Sequence, residues 1–440
     1  QRWMRALITV PLVLPTIVVA IVFSNFRWIP AIPLILIAHV FVNYSLVVRT
    51  IGGVWSTMDN ETEEAAALAG AGRLRTTLQI TLPQLKPAIV SSAALTFLFC
   101  SSSYGIILIL GDGLVQSVET QIAAAALQYL DLNKAAALAF SEAIAKHPIG
   151  IEQVDESTRK PMLDHRDWPA ITVTGLAVVA MIALPLLVLL AKAFTFDGSF
   201  SLQNFLNLAG RGDRELLNIS VWQATLNTLR NVAISASIAV SLGALVSYLL
   251  SRTHRTRRAR FSNRTIDVLF LIPIGISSVV LGFGYLITFG DGPLPIRASW
   301  LVVPIVQALM ALPLVIRLIY PALLSIGTEH REAASLAGAN SRQTWWHIES
   351  GIIRNVILTA VGFALIAGIG EFGAASLLAF GDQATLPTVL YALISRPGST
   401  NYGMAMAVSA ILIALTFTLV LAVSSQKPRR RVRGVLKSRR

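Results

Sequence analysis

Nine stretches of this chain are about as long as a bilayer core is thick and carry almost no charge: 6–23, 32–48, 88–110, 171–190, 232–250, 268–289, 301–324, 357–380 and 404–423. A run of about 20 apolar residues, coiled as a helix, crosses the hydrocarbon. Backbone N–H and C=O groups find no water there, so such runs must satisfy themselves as helices. The expected fold is therefore all-α, a polytopic transmembrane helical bundle. Composition agrees: 54% of the 440 residues are hydrophobic and 13% charged, against about a quarter charged in a soluble domain. An ordinary cytosolic enzyme is excluded. A tenth run, 122–145, could add a crossing, but Asp131, Lys134 and Glu142 interrupt it.

The charge that remains sits beside the spans. Net charge is +13, concentrated in Arg252-Thr-His-Arg-Thr-Arg-Arg-Ala-Arg260 and in the tail from Lys427. Arg2 and Arg5 precede the first run, and Arg73, Arg75, Arg342 and Arg354 lie in two polar connectors. Basic residues flanking spans mark the cytoplasmic face, which makes lipid rather than nucleic acid the expected contact. All clusters reach that face together only if an odd number of crossings joins Leu110 to Ile171, so either the tenth run supplies one or the topology is unusual there. The single cysteine, Cys100, excludes an intramolecular disulfide.

Shifted by 268 positions, the sequence overlays itself: Arg49 falls on Arg317, Glu64 on Glu332, Gly70 on Gly338 and Ile80 on Ile348. Between 61–80 and 329–348, ten of twenty positions are identical. Such repetition marks a duplicated architecture, common in transporters. Two halves are expected, 1–157 and 158–427, followed by a basic tail at 428–440. By the same register, roughly 90–100 residues with two further spans are expected ahead of Gln1. The last span of the second half should map to 135–156, where the match begins at Ala135 and fades after Phe140.

The repeat is strongest in the polar connectors, Glu64-Ala-Ala-Ala-Leu-Ala-Gly70 through Ile80-Thr-Leu-Pro83 and Glu332-Ala-Ala-Ser-Leu-Ala-Gly338 through Ile348. Each reads as a short helix, a turn and a second short helix. Glu sits where the helix dipole favours a carboxylate, alanines favour the helix, and Gly70 and Gly338 stop it in a left-handed conformation. Leu74 and Leu78 can face a partner, and Pro83 stiffens the exit into the next span. These segments resemble the EAA loop of permease subunits in binding-protein-dependent ABC importers, where the loop forms coupling helices that dock on ATP-binding subunits. The second copy departs at its end, with Ser350-Gly351 in place of Leu-Pro.

The resemblance implies two pseudo-symmetric type I ABC permease halves in the plasma membrane of a prokaryote. It implies coupling through Glu64, Ala65, Ala66, Gly70, Leu74, Pro83, Glu332, Ala333, Ala334 and Gly338. Two ATP-binding subunits and an extracytoplasmic solute-binding protein are the implied partners, with ATP on the partner subunits and no cofactor on this chain. A fused chain of two halves looks like the ferric-iron and thiamine importers, and Ala38-His39-Val40-Phe41-Val42-Asn43 resembles the thiamine type. Gly370-Glu371-Phe372-Gly373 resembles a segment of the same permeases.

The chain holds no G-x-x-x-x-G-K-[ST] phosphate loop, no H-E-x-x-H zinc motif and no G-x-S-x-G nucleophile elbow, so its residues carry no case for catalysis. Ionisable or polar residues within spans are functional candidates. Glu371 is one, as a pathway-lining group or an interhelical bond. His39 and Gln307 coincide under the repeat and, with Asn43, are read the same way. Three rival readings stand beside the importer: an ion-driven secondary transporter, a membrane receptor or scaffold without transport, and a non-functional permease remnant. An ion-driven secondary transporter would not need the Glu-Ala-Ala–Gly connectors, and a non-functional permease remnant would not support uptake.

Overall fold

The computed structural model describes residues 11, 13–58, 61–145, 168–252, 276–289, 299–326 and 334–424. In chain order the helices are α1 (Thr16–Ser24), α2 (Ala31–Thr57), α3 (Glu61–Leu68), α4 (Arg73–Thr76), α5 (Leu82–Ser101), α6 (Tyr104–Leu110), α7 (Val118–Leu127), α8 (Leu132–Ala145) and α9 (Trp168–Ala193). A two-residue hairpin follows, β1 (Thr195–Phe196) against β2 (Ser199–Phe200), with Thr195 opposite Phe200. Then come α10 (Gln203–Leu206), α11 (Val221–Arg252), α12 (Ser278–Phe289), α13 (Val302–Leu324), α14 (Ser341–Thr344), α15 (Ser350–Ile369), α16 (Gly373–Leu378), α17 (Leu386–Ile394) and α18 (Ser399–Ser424). Helices α1 and α2 start directly behind Pro15 and Pro30, whose fixed φ and missing N–H cost nothing there.

Among the described residues, six helices are long and apolar enough to cross a bilayer: Ala31–Ser56, Leu74–Ser101, Thr172–Ala193, Val221–Ser251, Val302–Leu324 and Ser399–Val423. Three expected spans differ from the sequence reading. The run 88–110 breaks at Ser102-Ser103 into α5 and α6, and 357–380 breaks at Gly370-Glu371-Phe372 into α15 and α16. The run 122–145 breaks into α7 and α8: Leu130 turns left-handed at φ +54°, and the Asp131 carboxylate accepts the Lys134 N–H at 3.0 Å. Hydropathy averages over such breaks; at Asp131 the short capping side chain competes locally with continuing the old helix. Residues 1–10 and 268–275, parts of two expected spans, lie outside the described residues, as do 146–167, where the boundary between the halves was expected.

The repeat is visible in the backbone. Both copies place a π-helical turn at the same register, Thr77–Thr81 and Trp345–Glu349. Both open a later short helix with a reciprocal capping box, Ser117 with Thr120 before α7 and Thr385 with Thr388 before α17. Each pair satisfies two N–H groups that a helix start leaves orphaned.

The chain forms two compact units. The first comprises Gln1–Thr228, Ile274–Val303 and Gly370–Ile413. Its centre is α1, apolar all round and fully buried from Ile17 to Val22, as such a helix must be. It packs against α6, α2, α9 and α17, while α12 packs against α16, α7 and α8. Two glycines in equal register allow the paired crossings. A Cβ on Gly105 would meet Thr16 Oγ1 at 2.9 Å, and one on Gly373 would strike the Ser278 hydroxyl. The segment after α9 is tied down by Asn204, whose amide donates to the carbonyls of Ala193 and Thr195 at 3.1 and 2.9 Å. Asn227 donates to the carbonyls of Asp382 and Ala384 at 2.8 and 3.1 Å, and the Thr228 hydroxyl accepts the Leu386 N–H at 2.8 Å. These bonds anchor the start of α17.

The second unit comprises Leu229–Pro273, Pro304–Ile369 and Ala414–Arg440. Its core joins α11 (Ala236, Ala239), α13 (Ala308, Ala311, Val315, Ile319, Leu323) and α15 (Ile353, Ala360, Ala364). Small residues on all three helices let the backbones approach closely: a Cβ on Gly243 would fall 2.6 Å from Val315 Cγ1.

Candidate coupling connectors and pathway residues

The first connector begins with Glu61, Glu63 and Glu64 in the first turn of α3, complementing the positive end of its dipole. Gly70 ends the helix at φ +80°, and the Ala71 N–H reaches back to the Ala66 carbonyl at 3.0 Å. In the second connector Gly338 stands at φ +79°, the Ala339 N–H bonds the Ala334 carbonyl at 3.0 Å and the Gly338 N–H bonds the Ser335 carbonyl at 3.0 Å. This is the paired-bond helix stop that glycine favours, because a Cβ there would crowd its own backbone. Around both glycines the space is otherwise open.

After the stop the two copies start their next helix differently. In the second, Asn340 and Gln343 exchange side-chain and backbone bonds at 2.9 Å each. In the first, Gly72 stands in place of Asn340 and has no side chain to offer. Both then pass through the π turn. Thr81, at the end of the first, donates its hydroxyl to Glu63 at 2.9 Å, tying α3 to the entrance of α5. Pro83 occupies the first turn of α5. In the second copy Trp345 opens the π turn and packs edge-on against Tyr248 of α11, with ring centres 5.1 Å apart.

Of the expected coupling residues, Glu64 and Ala65 are exposed, Ala66 is half-buried, Gly70 and Gly338 are exposed, and Ala334 is buried. Glu332 and Ala333 lie outside the described residues. Leu74 and Leu78 are exposed apolar side chains. Sequence reading passed over the strongest pair: Leu68 is 91% exposed and its repeat mate Leu336 90%. The in-register Leu was visible, but only the structure turns it away from the chain. The π turns carry no sequence signal, although single π turns within helices recur at functional sites.

The expected pathway residues have mostly local partners. The Glu371 side chain accepts the Ala374 and Ala375 N–H groups at 2.7 and 3.2 Å, and also bonds the Gly373 N–H and the Ser278 hydroxyl. It thus caps α16 and joins it to α12. Its repeat mate Ser103 precedes α6 without a side-chain cap. Asn43, buried, donates to the His39 carbonyl at 3.0 Å and to Cys100 Sγ of α5 at 3.4 Å. His39 Nε2 is buried with no hydrogen-bond partner among the described residues. Gln307, in the second unit, donates to the Gly368 carbonyl of α15 at 3.3 Å.

A bundle of membrane-crossing helices that repeats its own polar connectors, glycine stops and π turns defines a duplicated integral membrane permease. The family model described as "Binding-protein-dependent transport system inner membrane component" matches residues 1–200 and 239–433. The chain belongs to that family and is an inner-membrane, multi-pass transport component. It is 24% identical over 422 residues to the ferric transport system permease protein of Actinobacillus pleuropneumoniae, covering 91% of this chain and 59% of that one. It is 25% identical over 416 residues to the thiamine transport system permease protein of Escherichia coli, covering 91% and 73%. With the Brucella abortus thiamine permease the identity is 25% over 412 residues, covering 89% and 72%. The chain thus spans about three fifths of the ferric relative's length and about three quarters of the thiamine relatives'.

Proposed function

We propose that the chain forms the translocation pathway of an ATP-driven importer, with permease halves at 1–157 and 158–427 and a basic cytoplasmic tail at 428–440. Two ATP-binding subunits dock under the connectors 64–83 and 332–348, and an extracytoplasmic protein delivers the solute. ATP is hydrolysed on the partner subunits. The solute is ferric iron or thiamine, the two classes named for its relatives.

The observation that carries this reading is the coincidence of Gly70 with Gly338, of the two π turns, and of the bare leucines Leu68 and Leu336. A leucine at the end of a polar connector, outside the apolar spans, gains nothing from lipid; burial against a partner would remove its side chain from water and stabilise docking by about 1.5–3 kcal/mol. In the second connector, Trp345 against Tyr248 gives a docked subunit a rigid lever onto α11. Closure of the ATP-binding subunits then shifts the conformational balance by binding one arrangement of the connectors more tightly.

The test is uptake into proteoliposomes containing this chain with and without its ATP-binding subunits, the binding protein being present. Uptake that requires those subunits and ATP supports the reading. Uptake driven by a proton or sodium gradient without them overturns it.

A further inference from the structure

Two residues that occupy the same register of a duplicated chain normally lie far apart. Tyr104 and Phe372, 268 positions apart, instead touch: their rings stack at 23° with centres 5.2 Å apart. A residue that meets its own repeat mate sits on the line about which the two copies are related. Each follows a 20-residue helix, α5 or α15, that starts at a connector. Along α5, about 1.5 Å per residue places Tyr104 some 30 Å from the first connector, toward the outer face.

A cavity of about 440 Å³ opens beside this pair, within the first unit. Its walls again come in repeat mates: Tyr104 with Phe372, Leu108 with Ser376, and Ala123 with Tyr391. The size lies within the usual range of small-molecule sites, about 300–1,000 Å³. The chemistry is asymmetric across the line. The second copy adds the Ser376 hydroxyl and the Tyr391 ring, and Ser376 lies 3.3 Å from the Tyr104 hydroxyl. Phe372 and Tyr391 have ring centres 5.7 Å apart. Among the described residues, no Asp, Glu, His, Lys or Arg lines the cavity.

We propose that this cavity is a solute subsite on the pathway, floored by the Tyr104–Phe372 stack, and that it takes a flat heteroaromatic molecule, neutral or singly cationic, rather than ferric iron. The inference rests on the importer reading and narrows its solute. A trivalent hard ion calls for several anionic oxygen ligands; the described lining offers no carboxylate and only two phenols, Tyr104 and Tyr391, of which Tyr104 already pairs with Ser376. Aromatic faces instead hold planar rings and attract a diffuse positive charge, while the hydroxyls of Ser376 and Tyr391, among the five hydroxyl-bearing residues of the lining, offer directional bonds to an asymmetric guest. For the guest to pass inward the stacked rings must separate, so the same pair serves as floor and barrier.

The test uses the permease assembled with its ATP-binding subunits in nanodiscs, without the binding protein. The probes are tritiated thiamine and radio-iron as ferric citrate. Saturable thiamine retention is expected, reduced at least tenfold by Phe372→Ala and by Tyr391→Ala. Leu108→Phe, which fills the cavity while keeping every aromatic ring, should reduce it similarly. Co-purification of the ATP-binding subunits reports that each variant is folded. Retention of iron without thiamine overturns the proposal, as does thiamine retention that all three variants leave unchanged. Failure to retain either probe in a complex that still performs ATP-dependent uptake overturns the subsite and leaves the importer reading standing.

Discussion

Replacing Gly338 by valine isolates one backbone term. Gly338 adopts φ +79°, and a Cβ added there would meet nothing within 4 Å. The cost is therefore conformational, not steric crowding by neighbours. A left-handed conformation costs an L-residue about 1–2 kcal/mol, and a β-branched side chain sits at the upper end. If the turn opens to escape that strain, it loses the bonds from Gly338 to Ser335 and from Ala339 to Ala334, each 3.0 Å, at about 0.5–1.5 kcal/mol apiece. Either route costs about 2 kcal/mol, and about 1.4 kcal/mol is a factor of ten in rate. ATP-driven uptake should fall by about tenfold or more while the partner subunits still hydrolyse ATP, because the connector no longer holds the shape that transmits their closure. Gly338→Asn provides the control, since asparagine tolerates the left-handed region, and should retain most uptake. Parallel uptake and ATPase measurements in proteoliposomes decide the matter. Wild-type uptake by the valine variant, or equal loss in both variants, would refute the reasoning.

Three further outcomes follow from the packing. Gly373→Val forces a side chain into Ser278 and Val279 and should destabilise the protein by about 1–3 kcal/mol, seen as a lower melting temperature in detergent; Gly52→Ala, with open space around it, should not lower it. Glu371→Ala removes the cap of α16 and should cost about 1 kcal/mol, whereas Glu371→Gln keeps an acceptor oxygen and should recover part of the loss; equal melting of all three proteins would show that the cap contributes nothing. Trp345→Ala removes the edge-on contact with Tyr248, worth about 0.5–1.5 kcal/mol beyond the area buried, and should lower uptake more than ATPase activity; equal loss of both would contradict the lever.

The sequence was most informative where composition and register speak directly. Apolar runs such as 301–324 and 404–423 return as the long helices α13 and α18, because length and hydropathy suffice in lipid. Gly70 and Gly338 announced their left-handed turns because few other residues adopt them. What stayed hidden depends on where side chains point. The breaks after Ser101, Leu127 and Ile369 lie inside apolar runs, and hydropathy averages over a local capping bond such as that of Asp131. The π turns at Thr77 and Trp345 have no compositional mark. Glu371 was legible as an unusual carboxylate, but its use as a helix cap emerges only from its bonds to Ala374 and Ala375. The Tyr104–Phe372 stack could have been found by asking which repeat mates are aromatic in both copies, although nothing in the register says that they meet.

The importer reading stands or falls on the docking of both connectors on ATP-binding subunits. It is tested most directly by placing a benzophenone at Leu68→Cys or Leu336→Cys, with Cys100→Ser removing the native thiol, and irradiating the assembled complex. Leu176→Cys, on an exposed position of α9, serves as the control. Cross-links from both connector positions to an ATP-binding subunit, altered in yield by ATP and absent from position 176, are the predicted result. Cross-links from neither connector, or equal yields at all three positions, would contradict the account.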